Sequence, residues 1–364
     1  MKVSLITVHF TEYVVRLGLA LAEHATVQAH LVGDRLQADL SPDLRREAER
    51  RLEIVPHESP RRATTLLHGW RLYRSLRSFA PDLVHGQEGN PYALAPMLLG
   101  LSKRTPFVYT IHDPTPHSGE DLKVRARDGV LLDYIRRRAD RLIVHGDKAR
   151  VEMEGLFPAK RGRIDVIPHG VLGDPTGAEI APEQGSFLFF GRIEAYKGLG
   201  VLLAATRRLL DEGLAFHVTI AGHGGDLEMH RPTIAALPCV TLDERFIPGD
   251  QLSGLLRRHS AIVMPYLDAT QSGVLAHAFG AGRPVVATAI GGLPEVIQHG
   301  ENGLLAPPND VEAFANAMRR FLVEPGLAER LGNGASNTAA TVMSWERIAS
   351  ATMNAYCAAA GNQR

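Results

Sequence analysis

Cysteine is nearly missing: Cys239 and Cys357 are the only two in 364 residues, far apart and in no metal-type cluster. A disulfide framework and a structural zinc site are therefore not expected, and reduced thiols in a cytoplasmic protein are. Net charge is missing too. Forty Lys and Arg balance forty Asp and Glu, which argues against the basic coat of a nucleic-acid binder. No long apolar run occurs. The longest in the first half, Tyr92 to Leu101, is broken by Pro96, and nothing approaches the ~20 apolar residues that span a bilayer. The opening MKVSLITVHF turns polar too soon for a secretory leader. There is no short tandem repeat. What is present, 45% hydrophobic and 22% charged residues, is the balance of a globular chain, long enough for two domains with a core each.

The order of apolar segments points to α/β architecture. Val3–Val8, Val27–Val32, Leu83–His85, Phe107–Ile111 and Leu142–Val144 read as buried strands, with amphipathic stretches such as Tyr13–Ala22 between several of them. The second half repeats the alternation with Phe187–Phe190, Phe216–Ala221, Val240–Leu242, Ala261–Met264 and Val285–Ala287, and with a helix over Leu199–Leu210. Such alternation predicts parallel sheets covered by helices. The Gly- and Pro-rich segment IPHGVLGDPTG suits a linker. It divides a domain over 1–172 from one over 173–344. Apolar positions Trp345, Ile348, Ala349, Met353 and Tyr356 predict a final helix. Residues 1–172 hold 26 Lys and Arg against 21 Asp and Glu, mostly as arginine in the runs Arg45–Arg51, Arg61–Arg77 and Lys123–Arg141. Solvated helix faces are the plain explanation. The same surplus also suits an anionic lipid surface or a phosphate-bearing acceptor.

In open α/β sheets ligands bind outside the carboxyl ends of strands, so those ends carry the candidate chemistry. In FFGRIEAYKG, Arg192 follows a strand and Lys197 lies five residues on. A guanidinium fork and a compact ammonium on one loop suit a diphosphate, although two cations on a surface turn is the simpler alternative. In PYLDATQSGVLAHAFG, the loop becomes a helix (Val274–Gly282) at Thr270, Gln271, Ser272 and Gly273. Free N–H groups there favour an anion, and Ser272 is also an ordinary N-cap. His277, one turn in, is placed to meet a ribose hydroxyl or to serve as a bonded helix histidine. His112 ends a strand in YTIHDPTPHSGE, where an imidazole suits a sugar hydroxyl or an acceptor. Asp113 and His117 nearby match no compact metal-ligand spacing. The chain also lacks a D-x-D triplet, the usual metal-bridged diphosphate device.

Taken together, VIPHGV (166–171), FGRIEAYKGL (190–199), TIAGHG (219–224) and GRPVVATAIGGLPEVIQHGENGLLAPPND (282–310) resemble glycosyltransferase family 4. PDLVH (81–85) and YTIHD (109–113) resemble it more loosely. The resemblance implies a GT-B fold, with two Rossmann-like domains facing a central cleft. The helix from Trp345 would return to the N-terminal, acceptor-binding domain. It implies retaining transfer of a hexosyl group from a UDP- or GDP-sugar to a glycan, lipid-linked or small-molecule acceptor, by front-face attack, with no cofactor and no metal. Arg192 and Lys197 match the pair on the donor diphosphate, and Gly222 and Gly224 the glycine turn beside it. Ile247 matches the position whose backbone contacts the base, and His112 the histidine on the donor sugar.

Two departures stand out. The family's pair of glutamates falls at Ala269 and His277, neither acidic. The A-T-Q-S-G loop resembles a subset of the family that replaces E-G-F-G, which implies donor binding through backbone N–H groups at Gln271–Gly273 and through His277. The usual Gly-Gly loop after the first strand is His9-Phe10-Thr11-Glu12 here. Three alternatives stay open on sequence alone: a sugar-nucleotide epimerase, a phosphorylase on the same fold, and a nucleotide-sugar-binding protein without turnover. The arginine surplus admits peripheral contact with the inner face of a membrane.

Overall fold

Short runs of Val, Ile, Leu and Phe become strands because their branched and aromatic side chains pack on both faces of a covered parallel sheet. The computed structural model describes residues 1–59, 64–89, 91–115, 120–173 and 181–361, with backbone alone at 93 and 120–127. The described chain forms two compact units. One is built mainly from the first 170 residues and the tail from Ser344, the other from Val171–Met343.

The first unit holds strands β1 (Lys2–Ile6), β2 (Thr26–Val32), β3 (Glu53–His57), β4 (Leu83–Gln87), β5 (Phe107–Thr110), β6 (Arg141–Val144) and β7 (Ile164–Val166). All pair in parallel, in the order β3-β2-β1-β4-β5-β6-β7. The second unit holds β8 (Glu183–Phe190), β9 (His217–Ala221), β10 (Val240–Asp243), β11 (His259–Met264), β12 (Val285–Thr288) and β13 (Gly303–Ala306), in the parallel order β10-β9-β8-β11-β12-β13. Each sheet runs outward one way and then restarts on the other side of its first strand. That leaves a crevice between β1 and β4 in one unit and between β8 and β11 in the other.

The cores are the apolar faces of these sheets against their helices. Val84, Phe107, Tyr109 and Leu142 are fully buried in the first unit, and Phe187, Phe189, Ile220 and Phe314 in the second. The last helix, Trp345–Gly361, belongs to the first unit. Its Ile348, Ala349 and Tyr356 are buried. Trp345 packs edge-on against Tyr13, with ring centroids 5.2 Å apart. Gly170 makes room for it, since a Cβ there would lie 2.3 Å from the indole.

Strands β3, β7 and β13 were not anticipated from sequence, and all three are edge strands. His117 and residues 174–177 of the linker segment lie outside the described residues.

Candidate functional site

The predicted donor residues of the second unit lie at the carboxyl ends of its strands, most of them beside the β8/β11 crevice. Arg192 and Lys197 are on the loop after β8, and Gly222 and Gly224 on the loop after β9. Thr270–Ser272 precede the helix Gly273–Gly280 after β11. Ile247, half-buried, is on the loop after the edge strand β10. Arg192 is exposed. Lys197 is only 8% exposed. Its Nζ donates to the Tyr266 hydroxyl at 3.3 Å and lies 5.1 Å from the centre of that ring. Burial lowers its pKa, and Arg192 pushes the same way. Among the described residues no carboxylate forms a salt bridge with Lys197; Glu194 favours the charged form without pairing with it, so a desolvated cation is held with no direct ion-pair partner. Tyr266 was not singled out from sequence. Its signal was a hydroxyl two residues past a fully buried strand.

Close backbone approaches hold these loops. Gly222 has φ +139° and Gly224 stacks beside it; Cβ atoms there would lie 2.0 Å from the Gly191 carbonyl oxygen and 2.1 Å from that of Ile193. The Gly191 N–H donates to Ala221, and that of Ile193 to His223. Gly198 and Gly291, with φ +69° and +61°, pass just as closely over the carbonyls of Pro265 and Ala269. The Gly292 N–H donates to the Thr270 carbonyl at 3.0 Å. Ser272 Oγ caps the helix by accepting from Leu275 N–H at 3.4 Å. The N–H groups of Gly273 and Val274 lie inside the first turn, where the helix itself supplies no acceptor. Gln271 Oε1 is buried with no hydrogen-bond partner. His277 is half-buried and edge-on to Phe190 at 6.2 Å.

In the first unit His112 is 1% exposed, and the ring of Phe10 lies parallel on it at 3.6 Å. Phe10 thus occupies the loop where the family has glycines. Glu88 fixes the turn by accepting from the His112 and Asp113 N–H groups at 3.1 and 3.0 Å, and it pairs with buried Arg136 at 2.6 Å. Arg136 also donates to the Pro114 carbonyl.

A buried row of hydrogen bonds runs on from His112. His145 Nδ1 lies 3.0 Å from the Ile167 carbonyl, so it donates there and Nε2 accepts. His112 Nδ1, 3.1 Å away, is then the donor to His145. The Gln87 amide faces both His112 Nε2 (3.1 Å) and His85 Nε2 (3.2 Å). Its two ends have the same shape, so the proton count decides. The NH2 end serves His112, and the carbonyl accepts from His85. His85 Nδ1 accepts from the Tyr356 hydroxyl at 2.7 Å. The reverse amide orientation would demand a doubly protonated ring. Burial holds His85 near pKa 3 and His145 near 4, and sets His112 well below its ordinary value. The sequence singled out only His112 here. The further signal was a histidine within β4, His85, and another directly after β6, His145.

These histidines make the first unit acid-sensitive. Their folded pKa values lie below the unfolded value of about 6.5. As pH falls below about 6.5, the unfolded chain takes up protons that the folded chain refuses, so stability is lost, by up to ~1.4 kcal/mol per pH unit for each ring. Urea unfolding at pH 7 and pH 5 is expected to show a clear drop in midpoint, before most carboxylates titrate. A flat profile would mean these rings are not neutral and buried.

Much of the arginine surplus is paired. Arg45 bonds Glu49, Arg46 bonds Asp43, and Arg51 bonds Glu23 and Glu47. Arg141 holds Asp165 with two bonds of 2.6 Å. No helix of the described residues is long and apolar enough to cross a membrane.

Residues 11–171 match the family model described as Glycosyltransferase Family 4, and residues 184–324 the one described as Glycosyl transferases group 1. The glycogen synthase of Mycobacterium tuberculosis is 30% identical over 304 residues, covering 79% of this chain and 71% of that one. The D-inositol 3-phosphate glycosyltransferase of Streptomyces avermitilis is 32% identical over 243 residues, covering 61% of this chain and 52% of that protein. Among solved structures, Anabaena HepE in complex with UDP-glucose matches with a TM-score of 0.74 at 15% identity, covering 98% of this chain and 100% of that one. That last likeness is one of fold.

Proposed function

We propose, from the premise that this chain belongs to glycosyltransferase family 4, that it moves a hexosyl group from a UDP- or GDP-sugar to a sugar, lipid-linked or small-molecule acceptor, with retention at the anomeric carbon. The observation that carries this reading is Lys197, a buried ammonium bonded to a phenol and lacking a salt-bridge partner among the described residues. What such a site lacks is an anion. The hard step is departure of a charged diphosphate. Arg192 supplies a fork of donors, Lys197 a point charge, and the Gly273 and Val274 N–H groups a helix end, all aimed at the developing charge. Backbone N–H groups at Gln271–Gly273 hold the sugar and diphosphate, His277 meets the ribose, and the Ile247 backbone meets the base. Gly222 and Gly224 let the donor approach. His112, held by Gln87 and His145, orients the sugar or the acceptor. Attack comes from the face the diphosphate leaves, and the leaving phosphate oxygen takes the acceptor's proton. Two cations of the chain occupy the role of a bridging divalent ion, so the reaction needs no metal or organic cofactor.

The helix Thr65–Phe79 supports the peripheral-membrane part of the reading. It exposes Leu66 and Trp70, with Arg74 stacked over the Trp70 ring at 4.7 Å and Arg77 beyond. Apolar and cationic side chains on one stripe suit an anionic interface.

Titration with UDP, GDP and ADP tests the donor site, and the HepE complex favours UDP-glucose as the first sugar tried. One diphosphate is expected to bind, and proton NMR of the transfer product is expected to show the donor's anomeric configuration, unchanged by EDTA. Failure of all three to bind, or an inverted product, would overturn the proposal.

A further inference from the structure

His112 follows β5 closely, yet its ring has no polar atom left for a ligand. Nδ1 donates to His145, and Nε2 accepts from the Gln87 amide, so both nitrogens are engaged inside the protein. The ring is 1% exposed. A sugar hydroxyl does not bond to it while those two bonds and that cover stand.

The cover is Phe10. Its ring lies on the imidazole with centroids 3.6 Å apart and planes 16° from parallel. Phe10 is half-buried, so the residue that hides His112 is itself reached by solvent. It is also held still. Its N–H donates to Thr7 Oγ1 at 3.1 Å, and its carbonyl accepts from the Val14 N–H at 3.0 Å, at the start of the helix Thr11–Leu21. A flat ring stacked on a second ring that is bonded at both nitrogens has lost most of its freedom before any ligand arrives. Its place is the loop after β1, on the flank of the β1/β4 crevice, where open α/β sheets take their ligands. Gly89, on the loop after β4, comes against His9: a Cβ there would lie 3.1 Å from that ring. The loops from the two sides of the crevice therefore meet beside Phe10.

An aromatic face at this place selects by chemistry. It carries no charge and no hydrogen-bonding group, so it offers nothing to a phosphate. Its surface is the negative side of a quadrupole, which attracts weakly positive C–H bonds. A hexose ring presents such bonds on its faces and turns its hydroxyls to the rim. We propose that Phe10 positions a hexose by stacking on its C–H face, and that His112 is a positioning residue that holds Phe10 flat without bonding the sugar itself. The inference rests on the transfer reading above. The hexose is either the one carried by the nucleotide or a free one, and the experiment separates the two.

The full chain is titrated with UDP-glucose and GDP-glucose in one arm and with glucose in the other, and the ligand's proton NMR spectrum is read together with its affinity. A C–H proton above a benzene ring moves upfield, a shift that no aliphatic side chain produces. Hexose C–H protons are expected to shift upfield in one arm, and the arm names the source of the ring. Phe10→Leu keeps an apolar side chain and is expected to melt close to the parent. It should abolish the shift and weaken that ligand about 10-fold, with UDP and GDP affinity unchanged. Phe10→Trp is expected to restore both. His112→Phe, which leaves a flat ring under Phe10 and removes both nitrogens, is expected to keep the shift. No upfield shift in either arm, or parental affinity in Phe10→Leu, would overturn the proposal. So would tighter binding by Phe10→Ala, which would make Phe10 a lid over His112, or loss of the shift in folded His112→Phe. Diphosphates that bind beside a hexose indifferent to Phe10 refute this inference alone. Diphosphates that fail to bind refute the donor site, and the glucose arm still decides on Phe10.

Discussion

Replacing Lys197 with alanine is expected to lower turnover at least ~100-fold, the scale of losing one preorganised charge-stabilising donor. The protein should stay folded. Removing a desolvated cation that has no ion-pair partner relieves a cost larger than the single long hydrogen bond to Tyr266 that is lost. Lys197→Met, which keeps the apolar stem, is therefore expected to melt at or above the temperature of the parent. The pair of measurements matters more than either alone. Lost turnover with kept or raised stability marks a residue held in place for a ligand. Near-normal turnover in the alanine variant would remove the basis of the donor site, and a collapse in stability would make Lys197 a structural residue.

The second large effect is expected at Gly291. A Cβ there would sit 1.6 Å from the Ala269 carbonyl oxygen, and φ +61° already disfavours a side chain. Gly291→Ala must therefore push the A-T-Q-S-G loop away from the helix that follows β12. The expected cost is on the order of 4 kcal/mol, in the range reserved for backbone clashes in a packed site. Turnover should fall with it, because Thr270–Gly273 ride on the displaced segment. Gly225→Ala serves as the comparison. Its Cβ would meet nothing within 4 Å, and its melting should change by no more than ~0.5 kcal/mol. Denaturant titration of both variants checks the contrast, and equal effects would mean the close approach at Gly291 is not binding on the loop.

The central strands were legible because they are covered on both faces and read as unbroken apolar runs, such as Phe187–Phe190 and Ala261–Met264. The edges were not. β3 carries Glu53 and Pro56, and β7 is three residues long with Asp165 in the middle. A strand that is half wet need not be apolar, so its sequence resembles a loop. Arg192 and Lys197 could be singled out for a related reason: they sit on the loop that follows a readable strand. What sequence spacing does not carry is which side chains meet across strands. The row Tyr356–His85–Gln87–His112–His145 draws on three strand ends and the last helix, and only His112 among them was singled out in advance.

The position of the last helix has a practical corollary for dissection of the chain. Tyr356 terminates the histidine row and Trp345 sits on Gly170, so the first 170 residues expressed alone would expose a seam of buried imidazole and indole contacts. A workable half-protein would have to splice 344–361 onto that fragment, whereas Val171–Met343 is continuous in sequence and can be cloned as a single piece.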